Sequence, residues 1–148
     1  MLISPDPALL DLDAIHAFLT TSYWSPGIAR ERVERAIKHS LCWGVYDPAI
    51  PRSGHADLPS LVGFARVITD HASFAYLCDV FIIESHRGRG LSKQLVQTIL
   101  ACPALQGLRR FCLMTRDAHG LYQQFGFTPM PDPTRYLERT DREGYKLP

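Results

Sequence analysis

Apolar and polar positions along the first forty residues follow a helical period. The spacing predicts a first helix over residues 12–19, with Asp11 or Asp13 as its N-cap. A second helix is predicted from about Ile28 to Ser40, and acidic and basic residues four positions apart support its solvent side. The apolar start of the chain, residues 1–4, fits a short strand before the first helix.

The next forty residues change to β-rich runs. Residues 41–47 predict a strand, and residues 61–69 and 74–83 predict two more that are joined as a hairpin. The segment 47–60 is rich in Pro, Gly, Ser and Asp, so we expect a long surface loop there.

The second half returns to alternating helices and strands. Helices are predicted from Leu91 to about Cys102 and over residues 118–125, with a strand at 109–115 between them. The proline-rich tail, residues 127–148, is predicted to add two short strands at a sheet edge. This order indicates a mixed α/β fold with a mostly antiparallel sheet of six to seven strands and about four flanking helices. The length of the chain fits one domain over residues 1–148.

The composition of the chain argues against several classes of protein. Apolar residues make up 46% of the chain, which is enough for a buried core, and the formal net charge of +1 argues against a nucleic-acid-binding protein. The four cysteines have no metal-ligand or disulfide spacing, so no metal site is predicted. The N-terminus lacks the pattern of a signal peptide and no run approaches a membrane span. We therefore expect a cytoplasmic protein without a membrane partner.

A glycine- and arginine-rich motif, ESHRGRGLSKQL at residues 84–95, stands between an apolar strand and a helix. The free N–H groups at a helix start bind anions, and glycines allow the backbone to approach a ligand closely. Arg87, Arg89 and Lys93 add positive charge that suits a pyrophosphate. The spacing matches neither a P-loop nor the Rossmann fingerprint. A tight turn with solvated arginines remains the alternative.

The stretch from Tyr76 to Phe127 resembles the GNAT superfamily of acyl-CoA-dependent N-acetyltransferases. Their signature, Arg/Gln-x-x-Gly-x-Gly/Ala, is matched by Arg87 and Gly90, whereas Ser92 replaces the last small residue. A second family element, a helix of the form Ala-x-x-Leu/Phe-Tyr-x-x-x-Gly-Phe, is matched at Ala118, Leu121, Tyr122, Gly126 and Phe127.

The resemblance implies a GNAT-like fold with acetyl-CoA as cosubstrate, held where the fourth and fifth strands separate. Its pantetheine arm would bond to the fourth strand and its pyrophosphate to the loop that follows. Thr115 stands where many relatives carry an asparagine that contacts the arm. The cofactor-binding residues implied are Val80, Phe81, Ile82, Arg87, Gly88, Arg89, Gly90, Leu91, Ser92, Thr115 and Ala118.

Two residues are candidates for catalysis. The resemblance implies that Tyr122 is the general acid that protonates the leaving thiolate, and the alternative is a core tyrosine. Asp79, a carboxylate inside an apolar strand, is a candidate base, or else forms a salt bridge with Arg66. Strand alternation predicts that Asp79 points away from Tyr76 and Cys78.

The acceptor is expected near the break after the first helix. Tyr23 and Trp24 could wall an amine pocket, with Trp43, Phe64 and Arg66 completing it, or could form a hydrophobic plug. We therefore expect acetyl transfer to the primary amine of a small molecule. A protein or peptide N-acetyltransferase and a noncatalytic acyl-CoA-binding module remain alternatives. The resemblance also implies a possible homodimer.

Overall fold

Five strands form one sheet in the computed structural model, which describes residues 1–148. The order in the sheet follows the order in the chain, and the strands are β1 (Leu2–Ser4), β2 (Leu41–Arg52), β3 (His55–Thr69), β4 (Phe74–Ile82) and β5 (Arg110–Leu113). Neighbours from β1 to β4 are antiparallel, and β5 runs parallel to β4. The predicted β1 is confirmed, as is the mixed, mostly antiparallel sheet.

Four α-helices flank the sheet, as predicted: α1 (Leu12–Leu19), α2 (Arg30–Lys38), α3 (Leu91–Leu100) and α4 (His119–Gln123). Asp11 is the N-cap of α1, because its Oδ1 accepts from the backbone N–H of Ala14 at 3.0 Å. None of the helices combines the length and the apolar character that a membrane crossing needs.

The two faces of the sheet bury separate hydrophobic clusters. The larger cluster packs α3 and α4 against one face and includes Trp43, Val67, Leu77 and Leu95. The smaller cluster packs α1 and α2 against the opposite face and centres on Phe64, which is fully buried.

The strand count is lower than predicted because the tail adds no strand. Beyond Phe127 the backbone forms only two 3₁₀ turns, Pro133–Arg135 and Gly144–Lys146. Pro129, Pro131 and Pro133 cannot donate ladder hydrogen bonds, and almost every residue of the tail is exposed, so no apolar face holds it on the sheet. The sheet has five strands rather than six to seven.

The predicted loop at 47–60 was also wrong. β2 and β3 extend through it as a long hairpin arm, in which Pro51 pairs with Pro59 and Arg52 with His55. Gly54 has a φ of +77°, which lets a two-residue turn reverse the chain. The register between β2 and β3 is irregular along the arm, which accommodates the prolines. A segment rich in turn-forming residues therefore still pairs as two strands.

Candidate active site

An opening separates β4 from β5, the last pair of strands in the sheet. The ladder between the two strands runs from Phe74 and Arg110 only as far as Leu77 and Leu113. β5 ends there, while β4 continues to Ile82 and keeps its pairing with β3. The β5-facing backbone of residues 78–82 therefore has no strand partner, and apart from the Ile82 carbonyl, which accepts from Arg87, it can bond an extended ligand.

A bulge in β4 rearranges the side chains that border this opening. Opposite β3, the register jumps between the Phe64–Phe81 and Arg66–Cys78 pairs, and Asp79 adopts a φ of +55°. Cys78 and Asp79 consequently face the same side, that of α1 and α2. The prediction that Asp79 points away from Cys78 was wrong, because strand alternation fails at a bulge.

The loop Arg87–Ser92, hereafter the phosphate loop, lies beyond the end of β4. Gly88 and Gly90 have φ values of +74° and +73°, a conformation that L-residues with side chains rarely adopt. The N-terminus of α3 has no side-chain cap, and the backbone N–H groups from Gly88 to Lys93 donate to no group of the chain. Gly88, Gly90, Leu91, Ser92 and Lys93 line a cavity of about 180 Å³. The loop thus presents the free N–H donors that an anion site requires.

The charged side chains of the phosphate loop do not all face the same way. Arg87 turns back and donates from Nε to the Ile82 carbonyl at 3.0 Å, which ties the loop to the end of β4. Arg89 is exposed, and Lys93 lines the cavity. Arg87 thus anchors the loop, while Lys93 offers a cation at the site.

Tyr122 is carried by α4 and is buried, with only 8% of its surface exposed. Its hydroxyl has no hydrogen-bond partner in the chain. The only side-chain polar atom that lacks both a partner and contact with solvent is the Tyr46 hydroxyl, so the Tyr122 hydroxyl is not sealed from solvent. The Tyr122 hydroxyl therefore reaches open space. Burial, with a smaller effect from Tyr23, raises the pKa of Tyr122 to about 12, so the hydroxyl stays protonated at neutral pH.

A cavity of about 280 Å³ opens on the α1 and α2 side of the same region. Its walls are mainly apolar and come from both helices and from the sheet, including Leu19, Trp24, Ile28, Val33, Ile37, Phe64 and Tyr76. The wall that α2 supplies was not predicted. Its signal was the helical spacing of Val33 and Ile37, which predicted the helix but did not indicate that it borders a site.

The polar side of this cavity is an ion pair. Arg66 Nε donates to Asp79 Oδ2 at 2.8 Å, and both side chains are less than 16% exposed. Trp24 Nε1 donates to the other oxygen, Oδ1, at 3.2 Å, and Arg66 also donates from Nη1 to Ser40 Oγ at 3.1 Å. The predicted Arg66–Asp79 salt bridge is confirmed. Both oxygens of Asp79 are engaged, which makes a free base at this position unfavourable.

Tyr23 contacts the loop after β5 rather than lining the cavity. The Arg116 guanidinium lies 3.7 Å from the centre of the Tyr23 ring, and the Arg116 backbone N–H donates to the Tyr23 hydroxyl at 3.4 Å. The loop after α1 is thereby joined to the loop after β5. The tail supports the same loop, because Tyr145 donates to the Pro26 carbonyl and Arg32 donates to the Gly144 carbonyl at 3.0 Å.

The remaining predicted residues are divided between the site and the core. Thr115 Oγ1 accepts from the Ala118 N–H at 3.0 Å and so holds the start of α4. Val80 and Ile82 point into the larger cluster and Phe81 into the smaller one, so the strand offers its backbone rather than these side chains. Trp43 is 3% exposed and lies in the larger cluster, on the face away from the cavity.

Comparison with known proteins agrees with this geometry. The model of the acetyltransferase (GNAT) domain matches residues 53–129. The chain is 34% identical over 135 residues to a predicted acetyltransferase from Gibberella zeae, covering 82% of this chain and 75% of that protein.

Solved structures share the fold. A crystal structure from Xanthomonas campestris, assigned to the GNAT family, is 46% identical with a TM-score of 0.86, covering 97% of this chain and 95% of that one. Rv2747 from Mycobacterium tuberculosis, solved in complex with CoA and NLQ, is 17% identical with a TM-score of 0.66, covering 88% of this chain and 73% of that one. With its opened sheet and unpartnered phosphate loop, the chain belongs to the GNAT family of acetyltransferases.

Proposed function

We propose that the protein transfers the acetyl group of acetyl-CoA to the primary amine of a small-molecule acceptor. The observation that carries this proposal is the position of the opening between β4 and β5. It lies between a phosphate loop with free N–H groups and an apolar cavity, so a cofactor and an acceptor can meet there.

Acetyl-CoA would extend along the free backbone of β4. Its pantetheine amides would bond to Val80, Phe81 and Ile82, and its pyrophosphate would accept from the N–H groups of the phosphate loop. The complex of Rv2747 with CoA supports this choice of cosubstrate. Ser92 keeps its backbone N–H, so its side chain alters the space in the loop and not the number of donors.

The acceptor would occupy the cavity between α2 and the sheet. A half-open cavity of about 280 Å³ with mainly apolar walls has room for a compact apolar body. Trp24 and Asp79 stand at the polar side, where the indole face suits an amine. Trp43 is left out of the proposed site because it is buried behind the sheet.

The reaction needs an uncharged amine and a protonated leaving group. An alkyl amine with a pKa near 10.4 is neutral in about one molecule in 2,500 at pH 7, which costs roughly 4.6 kcal/mol. The mainly apolar walls of the cavity disfavour the charged ammonium form and so lower the amine pKa. The nitrogen–carbon bond would form as the carbon–sulfur bond breaks, and Tyr122, which burial keeps protonated, would protonate the departing thiolate. The proton released by the amine nitrogen would return to Tyr122 through solvent.

The test is release of free CoA thiol from acetyl-CoA with a graded set of acceptors. The set pairs small apolar amines with amino acids of similar size and with short peptides, and mass spectrometry identifies the acetylated product. Small apolar amines should have the highest kcat/KM. Preference for peptides would instead assign the protein to the peptide N-acetyltransferases, and CoA binding without any product would favour a noncatalytic module.

A further inference from the structure

A buried hydrogen-bonded pair, Asp47 with His86, lies next to the phosphate loop and takes no part in the chemistry proposed above. His86 is 6% exposed and Asp47 is 8% exposed. His86 Nε2 lies 3.1 Å from Asp47 Oδ2, and His86 Nδ1 lies 2.9 Å from Ser85 Oγ. Both ring nitrogens therefore have partners, which fixes the orientation of the imidazole whichever nitrogen carries the proton.

Asp47 is held as firmly as the histidine. Its Oδ1 accepts from the Ala49 backbone N–H at 2.9 Å. The hydrogen bond from Ala49, followed by that from His86 and the nearby charge of Arg89, holds the pKa of Asp47 below its usual range. An ionised carboxylate on β2 is thus the fixed end of the pair.

The pair connects two parts of the fold that are far apart in sequence. Asp47 lies in the long arm of β2, whereas His86 ends a 3₁₀ turn, Glu84–His86, and immediately precedes the phosphate loop. His86 also lines the cavity that the loop encloses. Because the loop has two left-handed glycines and α3 has no side-chain cap, its own residues constrain it weakly.

A loop that binds through backbone N–H groups must have them aligned before the ligand arrives. Ordering them on binding would cost conformational entropy and weaken affinity. An anchor at the first residue before the loop limits this cost. Arg87 supplies a second anchor through its bond to Ile82, so the entry to the loop is fixed at two successive residues.

We propose that Asp47 and His86 are positioning residues that preorganise the phosphate loop for the pyrophosphate of the cosubstrate. The inference rests on the proposed use of acetyl-CoA. Neither side chain touches the reacting atoms, so the pair should affect recognition of the pyrophosphate and leave the acetyl-transfer step itself unchanged.

The experiment compares acetyl-CoA with S-acetylpantetheine, which carries the same thioester and pantetheine arm but no pyrophosphate. The variants are Asp47→Ala, Asp47→Asn and His86→Gln, with His55→Ala at the exposed hairpin tip as the matched control. Asp47→Ala should lower kcat/KM for acetyl-CoA about tenfold through KM, with little change for S-acetylpantetheine. Asp47→Asn keeps one acceptor oxygen, which can serve His86 Nε2 or the Ala49 N–H but not both, so its loss should be smaller than that of Asp47→Ala.

Calorimetric titration with CoA completes the test and needs no acceptor. The Kd of CoA should rise about tenfold in Asp47→Ala and stay at the wild-type value in His55→Ala. Equal losses for both thioesters, or unchanged CoA affinity in all variants, would overturn the positioning role. Absence of CoA binding to the wild-type protein would instead overturn the proposed function on which the inference rests. If Asp47→Ala does not fold, the same comparison is made with Asp47→Asn and His86→Gln, which should show smaller losses specific to acetyl-CoA.

Discussion

Tyr46 carries the single buried polar atom that lacks a partner. Its side chain is fully buried in the smaller cluster, and its hydroxyl accepts and donates no hydrogen bond. The ring lies across Gly44, where an added Cβ would approach the Tyr46 hydroxyl oxygen to 2.1 Å. A glycine in the middle of β2 is thus explained by the aromatic ring that covers it.

Replacing Tyr46 by phenylalanine should therefore stabilise the fold. The change removes a buried hydroxyl whose desolvation is uncompensated, so we expect the free energy of unfolding to rise by about 1 kcal/mol. Urea unfolding followed by circular dichroism measures this difference. A clear loss of stability would mean that the hydroxyl has a partner that the structure does not reveal.

Individual residues also show where sequence reasoning stops. The salt bridge of Asp79 with Arg66 could be predicted, because an unpaired charge inside an apolar strand is costly. Trp43 could not be placed, since its side of the sheet depends on the register of β2 with β1 and β3. The pairing of Asp47 with His86 joins residues 39 positions apart, and no local pattern signals it.

Among the elements, the bulge in β4 has the largest consequence for the site. It turns Cys78 and Asp79 to one face and ends the regular alternation that the sequence suggested. Opposite it, β3 passes close to β4 at Gly63, where an added Cβ would lie 2.4 Å from Ile82 Cδ1 and 2.9 Å from the Phe81 carbonyl oxygen. The close approach of the two backbones thus requires a glycine.

Gly63→Ala should consequently destabilise the protein by about 2 kcal/mol or more. The Phe81 carbonyl oxygen is part of the β4 backbone, so it cannot shift away from the new Cβ without disturbing the β3–β4 pairing. The matched change is Gly120→Ala in α4, where nothing lies within 4 Å of the added Cβ. There we expect a small gain of up to about 1 kcal/mol from helix propensity. Thermal unfolding measures the change in stability for both variants. Equal changes in Gly63→Ala and Gly120→Ala would contradict the close approach of β3 and β4.

Across the whole molecule, full or partial burial favours the uncharged forms of two thiols and a phenol. Burial raises the pKa of Cys42 and of Cys78 to about 12, and that of Tyr76 to about 12. In the unfolded chain these thiols titrate near pH 9, so between about pH 9 and 12 the unfolded state has released protons that the folded state keeps. Their stabilising contribution is complete below pH 9 and is lost as the pH rises.

Stability should therefore fall on the alkaline side. The free energy of unfolding should be lower at pH 10 than at pH 7.5, by about 1 kcal/mol for each of the two thiols. Urea unfolding at both pH values in the presence of a reductant measures the change. A Cys42→Ala, Cys78→Ala double variant should show a smaller fall, and equal slopes for the two proteins would exclude the thiols as the cause.

At this scale, the element order and the four helices could be predicted from periodicity, and the phosphate loop from its glycines. The five-stranded sheet could not, because pairing of the 47–60 arm and the absence of tail strands depend on contacts between distant segments. The acceptor cavity likewise forms only when α1, α2 and the bulged strand come together. Dimerisation stays a prediction.

The most direct test of acetyl transfer at the β4–β5 opening is the rate of thiol release by the Tyr122→Phe variant. With the best acceptor of the graded set, we expect kcat to fall about a hundredfold or more, because the leaving thiolate loses its proton donor. The Kd of acetyl-CoA should stay near the wild-type value, and Tyr46→Phe should keep full activity. A Tyr122→Phe enzyme with wild-type kcat would contradict the assigned general acid, and a wild-type protein that releases no thiol with any amine would contradict the proposed reaction.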